Sequence, residues 1–240
     1  VLDESGSIAD ASGATGKVRD GAMSFISALK DTGSKVAVVE FNTEARKAFG
    51  YTTVTAANAA ENTNAGSTFY RYIYDNPDGV APAGGYDPSE YSGGDRATNW
   101  EDALDEVIAA NSGSGSWAGS PKADIVVFFT DGNPTAWMDG NTPDYVSGSF
   151  SQTALDEAIP KANTVKGQGS HMFGVGVGSG INESALQAIT GPDKYPSPTS
   201  NFGMADYTLP ATFDQLEAAL KNIATELCKS SVTITKQVDE

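Results

Sequence analysis

Three separated segments carry oxygen-bearing side chains in a pattern that could do chemistry. The first, "VLDESGSIAD", places Asp3, Ser5 and Ser7 directly after two apolar residues. The second, "ATNWEDAL", offers Thr98. The third, "FFTDGNPT", offers Asp131 at the end of an apolar run. Together they supply carboxylates and hydroxyls, with no thiol and no imidazole. Hard oxygen donors of this kind suit Mg²⁺, Mn²⁺ or Ca²⁺ rather than zinc. Gly6 permits a tight turn between the serines, so both hydroxyls can face one centre. Neutral hydroxyls leave such a cation electron-poor, with an open position for a carboxylate from another molecule. Each segment alone has a plainer reading, because Asp, Ser and Gly after a strand make turns and helix caps. The metal reading rests on all three segments acting together.

The elements that must position these residues follow from hydropathy. "VLD" reads as the end of a buried strand. Residues 15–30 place Val18, Met23, Phe25, Ile26 and Leu29 on one helical face. Residues 34–42 read as a buried parallel strand and 45–54 as an edge strand. Residues 98–111 read as a helix capped by Thr98 or Asn99, with acids in its first turn. "ADIVVFFTDG" (123–132) is the most apolar run and predicts the central strand. Residues 151–169 predict a helix interrupted or kinked at Pro160. A strand at 171–178, a short helix at 182–190 and a long helix ending near 229 complete the pattern. Alternating strands and helices predict an α/β fold: a doubly wound, mostly parallel central sheet flanked by helices. Ligands in such sheets bind at the carboxyl ends of the strands, where strand order reverses. The three oxygen-rich segments fall there.

Residues 55–97 are polar and rich in Gly and Tyr, too long for an ordinary connection, and read as a functional insertion. Within it, Tyr70, Tyr72 and Tyr74 share a period-two face opposite Phe69, Arg71 and Ile73. That face is either a recognition surface or the insertion's own small core.

The three metal segments resemble the von Willebrand factor type A domain with a metal-ion-dependent adhesion site. The family pattern is Asp-x-Ser-x-Ser, a distant Thr, and an Asp closing a central strand. The resemblance spans residues 1–229, interrupted by the 55–97 insertion. It implies a cell-surface adhesion module that binds a protein or glycan ligand through a divalent cation, most simply Mg²⁺. By the same resemblance Ser5, Ser7 and Thr98 touch the metal, while Asp3 and Asp131 bind it directly or through water. The chain departs from the common pattern at "GDRATN", where Arg96 and Ala97 replace the glycine that usually precedes the Thr. Asp10 matches an acid that helps hold a second cation in integrin-like relatives; a solvated acid before a helix is the simpler reading. Candidate ligand contacts are Glu4, Tyr70, Tyr72, Tyr74 and Asn133.

The same resemblance extends to Gram-positive, actinobacterial surface and pilus-tip adhesins. It implies a secreted protein on a bacterial cell surface, with a chain that begins inside its first strand. It also implies that Cys228, the single cysteine, pairs with a cysteine upstream of Val1. Residues 230–240 resemble a linker and the first strand of a following stalk domain, with Lys236 placed for an intramolecular isopeptide bond.

Composition is consistent with these readings. The formal net charge of −16 argues against nucleic acid and anionic membrane surfaces. No apolar stretch is long enough to span a membrane. "GVGVGSG" (174–180) lacks the spacing of a dinucleotide loop. His171 is the only histidine, so His-dependent catalysis has one candidate, with no second catalytic group assigned beside it. Two further functions remain in view: a structural or assembly domain with a metal-stiffened face, and a metal-assisted hydrolase. A hydrolase needs a positioned general base, and Glu4 is the only acid beside the site in sequence.

Overall fold

The computed structural model describes residues 1–62, 64, 66–74, 85–90, 96–197 and 202–229. In chain order its elements are β1 (Leu2–Asp3), α1 (Gly6–Asp10), α2 (Ala14–Ala28), β2 (Lys35–Phe41), β3 (Ala45–Thr53), α3 (Thr68–Ile73), α4 (Trp100–Ser112), β4 (Ile125–Thr130), β5 (Ala136–Asp139), β6 (Thr142–Tyr145), α5 (Gln152–Gly167), β7 (His171–Gly176), α6 (Glu183–Ile189), β8 (Tyr207–Thr208) and α7 (Phe213–Lys229).

Six strands pair in the order β3-β2-β1-β4-β7-β8, all parallel except β3, which runs antiparallel to β2 at the edge. β4 reads as a continuous apolar run because both its faces are covered. Phe129 packs into a core with α2, α3 and α7, and Phe128 into a second core with α4, α5 and α6. Strand order reverses at β1, which pairs with β2 on one side and β4 on the other. Asp3 and Asp131 therefore emerge side by side at the carboxyl ends of neighbouring strands.

Local sequence sets the helix boundaries. Asn99 caps α4, its side chain accepting from the Asp102 amide at 3.0 Å. Gly113, left-handed at φ 61°, ends α4. α5 runs without a break through Pro160, correcting the expected interruption. Pro160 lies on the exposed face, where water can satisfy the carbonyl one turn earlier. The short strand β8 and the hairpin β5–β6 carry no hydropathy signal and were not expected.

The insertion departs most from expectation. Residues 68–73 form a helix, not a strand. Phe69, Tyr72 and Ile73 stand at i, i+3, i+4 spacing and are fully buried against the first core. Phe69 and Tyr72 pack on Phe49 of β3, with ring centroids 5.0 and 5.9 Å away. Tyr70 stacks on Tyr74 one turn along, at 4.5 Å. The tyrosines are thus divided between the core and a half-buried stack, and the period-two face does not form. Tyr86 is also buried, and its hydroxyl donates to the Asp3 carbonyl at 2.7 Å. Ala59, Phe69, Tyr72, Ile73 and Tyr86 of the insertion thus belong to the domain core.

A cavity of about 590 Å³ lies at the amino ends of β2 and β4, beneath the short β1, lined by Val36, Val38, Trp117, Val126 and Leu220. It is at the opposite end of the sheet from Asp3 and Asp131.

The packing sets a test of the insertion's role. Phe69→Ala should cost about 3–5 kcal/mol in chemical denaturation, the range for a buried aromatic. Tyr145→Ala, at an exposed hairpin position, should stay within about 0.5 kcal/mol. Equal, small effects at both sites would show the insertion to be detachable.

Candidate metal centre

Asp3 ends β1 with its carboxylate fully buried. Its Oδ1 accepts from the Ser5 amide at 2.7 Å and its Oδ2 from the Thr130 hydroxyl at 2.6 Å. Ser5 Oγ and Ser7 Oγ are 3.1 Å apart, and Ser7 Oγ donates to Asp131 Oδ1 at 2.6 Å. Thr98 completes the group: a methyl placed on Gly132 would sit 3.3 Å from Thr98 Oγ1 and 3.4 Å from Ser7 Oγ. The five residues that sequence proposed as metal ligands are brought together from three loops.

Each loop is held by backbone bonds. The Thr98 carbonyl accepts from the Thr135 and Ala136 amides at 2.9 and 3.1 Å, and its amide donates to Thr135 Oγ1 at 3.0 Å. Asn99 Nδ2 donates to the Thr43 carbonyl and its amide to the Asn42 carbonyl. The hairpin β5–β6 is thereby rooted on the metal segment.

Burial raises the Asp3 pKa to about 6, opposed by its hydrogen bonds from Ser5 and Thr130. Burial, and then the charge of Asp3, raises Asp131 to about 7. Two sequestered carboxylates that repel one another, ringed by hydroxyl oxygens, fit a hard divalent cation. Its charge would offset both the burial and the repulsion. Among the described residues no group of three or more His, Cys, Asp or Glu side chains could hold a metal, so a cation held here would draw on the hydroxyls as well as the two carboxylates.

Other candidates are placed elsewhere. Asp10 pairs with Arg96 at 2.6 Å, so a guanidinium stands where a second cation was considered. Glu4 is buried, accepting from the Asp87 amide at 3.0 Å and facing Arg46. Neither a ligand contact nor an open general base suits it. Tyr72 is buried, its hydroxyl donating to Glu40, and Tyr74 donates to Asp20 at 2.6 Å. Asn133 spends its amide inside the fold, donating to the Ser149 and Gly180 carbonyls and accepting from the Asn182 amide. Burial turns Glu4 and Tyr72 away from ligand contact and Asn133 is engaged within the fold; Tyr70 and Tyr74 stay half-buried in their stack. Cys228 lies in α7, its side chain outside the described residues, as are Lys236 and the 230–240 tail. Sequence reasoning missed Tyr86, which supports the Asp3 carbonyl from eighty-three residues away. No local pattern marks it.

Neither a scan against protein-family models nor a search of curated proteins finds a match. Solved structures do match. The von Willebrand factor domain of the type V pili tip protein Mfa5 from Porphyromonas gingivalis aligns with TM-score 0.61 and 12% identity, over 98% of this chain and 96% of that one. Proximal thread matrix protein 1 from the mussel byssus aligns with TM-score 0.59 and 21% identity. That alignment covers 95% of this chain but only 46% of the mussel protein. Another structure of the mussel protein is described as having a zinc-occupied metal-ion-dependent adhesion site motif. The manganese-loaded TRAP protein of Plasmodium vivax aligns with TM-score 0.55 and 18% identity, over 93% of this chain and 70% of that one. The chain has the von Willebrand factor type A fold.

The raised carboxyl values set a pH test. Between the ordinary value of 3.8 and about 7, Asp131 is protonated in the fold and ionised in the unfolded chain. The metal-free fold therefore loses stability as pH rises through that window. Asn at 131 removes this loss. In EDTA, Asp131→Asn should raise the melting temperature near pH 7.5, and the gain should vanish toward about pH 4. A gain that does not change with pH would contradict the electrostatic account.

Proposed function

We propose that this chain is a cell-surface adhesion module that captures an extracellular protein or glycan ligand through a divalent cation. Asp3, Ser5, Ser7, Thr98 and Asp131 hold the cation. The observation that carries the reading is the convergence of these oxygens at the strand ends where sheet order reverses. The bound cation supplies a Lewis-acidic point for a ligand carboxylate. Asp3 and Asp131 balance its charge, while the hydroxyls orient it without neutralising it further. Mg²⁺ is the expected ion, with Mn²⁺ and Ca²⁺ as substitutes. The zinc and manganese of the matched structures support a divalent ion of some kind.

A bacterial surface location is part of the proposal. It is supported by the pilus-tip domain of the same fold and by the acidic composition. Among the described residues no helix is long and apolar enough to cross a membrane. No enzymatic role is proposed, because Glu4, the nearest acid in sequence, is buried against Arg46 and the Asp87 amide.

Calorimetry tests the metal site directly. Wild-type protein should bind Mg²⁺ or Mn²⁺, and Asp131→Ala or Ser5→Ala should abolish binding with the fold retained. A cation at a hundred times its Kd should stabilise by about 2.7 kcal/mol, which for a domain of this size is a melting shift of about 5–11 °C. Unchanged affinity in Asp131→Ala would sink the assignment. Capture of matrix proteins and glycans, with and without EDTA, then separates adhesion from a purely structural role. Adhesion requires EDTA-sensitive binding, whereas a metal-stiffened assembly domain shows the thermal shift with no captured ligand.

A further inference from the structure

Arg96 stands two residues before Thr98, at the place where the chain departs from the family pattern, and reaches back to the first metal segment. Its terminal guanidinium nitrogen donates to the Gly6 carbonyl at 2.9 Å and to Asp10 Oδ1 at 2.6 Å. Its side chain lies along Gly6: a methyl there would meet Arg96 Nε at 2.7 Å and Cβ and Cζ at 3.0 Å. Nε is buried with no acceptor among the described residues, so this close contact fixes its orientation.

We infer that Arg96 is a positioning residue for the metal loop, locking the Ser5-Gly6-Ser7 turn onto the Thr98 segment. α1 is only five residues long, Gly6–Asp10, and a helix of one turn is not self-supporting. Arg96 binds its first residue through the carbonyl and its last through the carboxylate. That clamp holds the turn from which Ser5 and Ser7 project. Gly6 is required because any side chain there would displace the guanidinium. The Arg96–Asp10 pair itself is largely solvated, with Asp10 73% exposed, so it adds little to global stability. The effect falls on the geometry of the site. Groups that orient metal ligands from behind typically change metal affinity 10–100-fold when removed.

The inference rests on the proposed metal site, and the experiment separates the two. Mg²⁺ and Mn²⁺ binding is measured by calorimetry on wild type, Arg96→Ala, Arg96→Lys, Gly6→Ala and the double variant, beside melting temperatures in EDTA. Arg96→Ala should weaken binding about 10–100-fold while the EDTA melting temperature moves little, and Arg96→Lys should recover part of the loss. Gly6→Ala should weaken binding alone, yet cost less in the Arg96→Ala background, because the tightest contact it creates, at 2.7 Å, is with Arg96 Nε, and only the 3.0 Å contact with Cβ remains there. Binding by wild type with affinity within twofold in Arg96→Ala overturns the positioning role alone. No binding by wild type overturns the metal reading, and the positioning role with it. Additive effects of the two substitutions also reject the clamp, showing that Gly6 and Arg96 act separately.

Discussion

Two carboxylates held close together at the ends of neighbouring parallel strands impose the constraint on which the rest of this structure depends. Asp3 and Asp131 are buried, and burial raises both pKa values, with the charge of Asp3 adding to the rise at Asp131. A fold tolerates such a pair only by surrounding it with donors or by supplying a cation. Here the donors are Ser7, Thr130 and the Ser5 amide. The strands cannot relax to separate the acids, because β1 and β4 are adjacent in a sheet covered on both faces. Electrostatic strain at one end of the sheet is thus set by packing along its length.

The insertion shows how a peripheral segment becomes part of such a site. Phe69, Tyr72 and Ile73 anchor it to the core. From that anchor Tyr86 reaches the Asp3 carbonyl, and the Asp87 amide reaches Glu4. Beneath lies a second buried acid cluster, in which Arg46 Nε meets Glu40 at 2.8 Å and a terminal nitrogen meets Glu4 at 3.4 Å. Arg46 is itself half exposed while Glu4 and Glu40 are buried, so removing the arginine leaves two buried carboxylates uncompensated, which costs more than losing a surface pair. Glu4 is adjacent in sequence to Asp3, so this backbone is fixed at Asp3 by Ser5 and Thr130 and at Glu4 by this network.

The rim of the site is built differently from its floor. The hairpin β5–β6 grows from the backbone bonds at Thr98 and carries Tyr145 and Val146 exposed at its end. Arg96 bonds to Gly6 and Asp10 of the Asp3–Asp10 segment. The floor is rigid strand and core, and the rim is loops, turns and one short hairpin.

Sequence by itself determined the main alternation of strands and helices, the central position of β4 and the edge position of β3, but not α3, β8 or the β5–β6 hairpin. It also singled out Asp3, Ser5, Ser7, Thr98 and Asp131, whose side chains the fold brings together. These were legible because each rests on a local signal: an apolar run, a cap at Asn99, or hard oxygens clustered after a strand. Hydropathy along the chain reports burial and little else. It could not tell that Tyr72, Asn133 and Glu4 are interior, because their polar atoms are satisfied by residues far away in sequence. Nor could it distinguish strand from helix at 68–73, where alternate and i, i+3, i+4 patterns coincide over six residues. Tertiary structure alone decided that Phe69, Tyr72, Ile73 and Tyr86 of the insertion are core, that Pro160 lies within an unbroken α5, and that Arg96 answers Asp10. Each of these depends on which atoms meet across long loops, and composition and spacing do not encode such meetings.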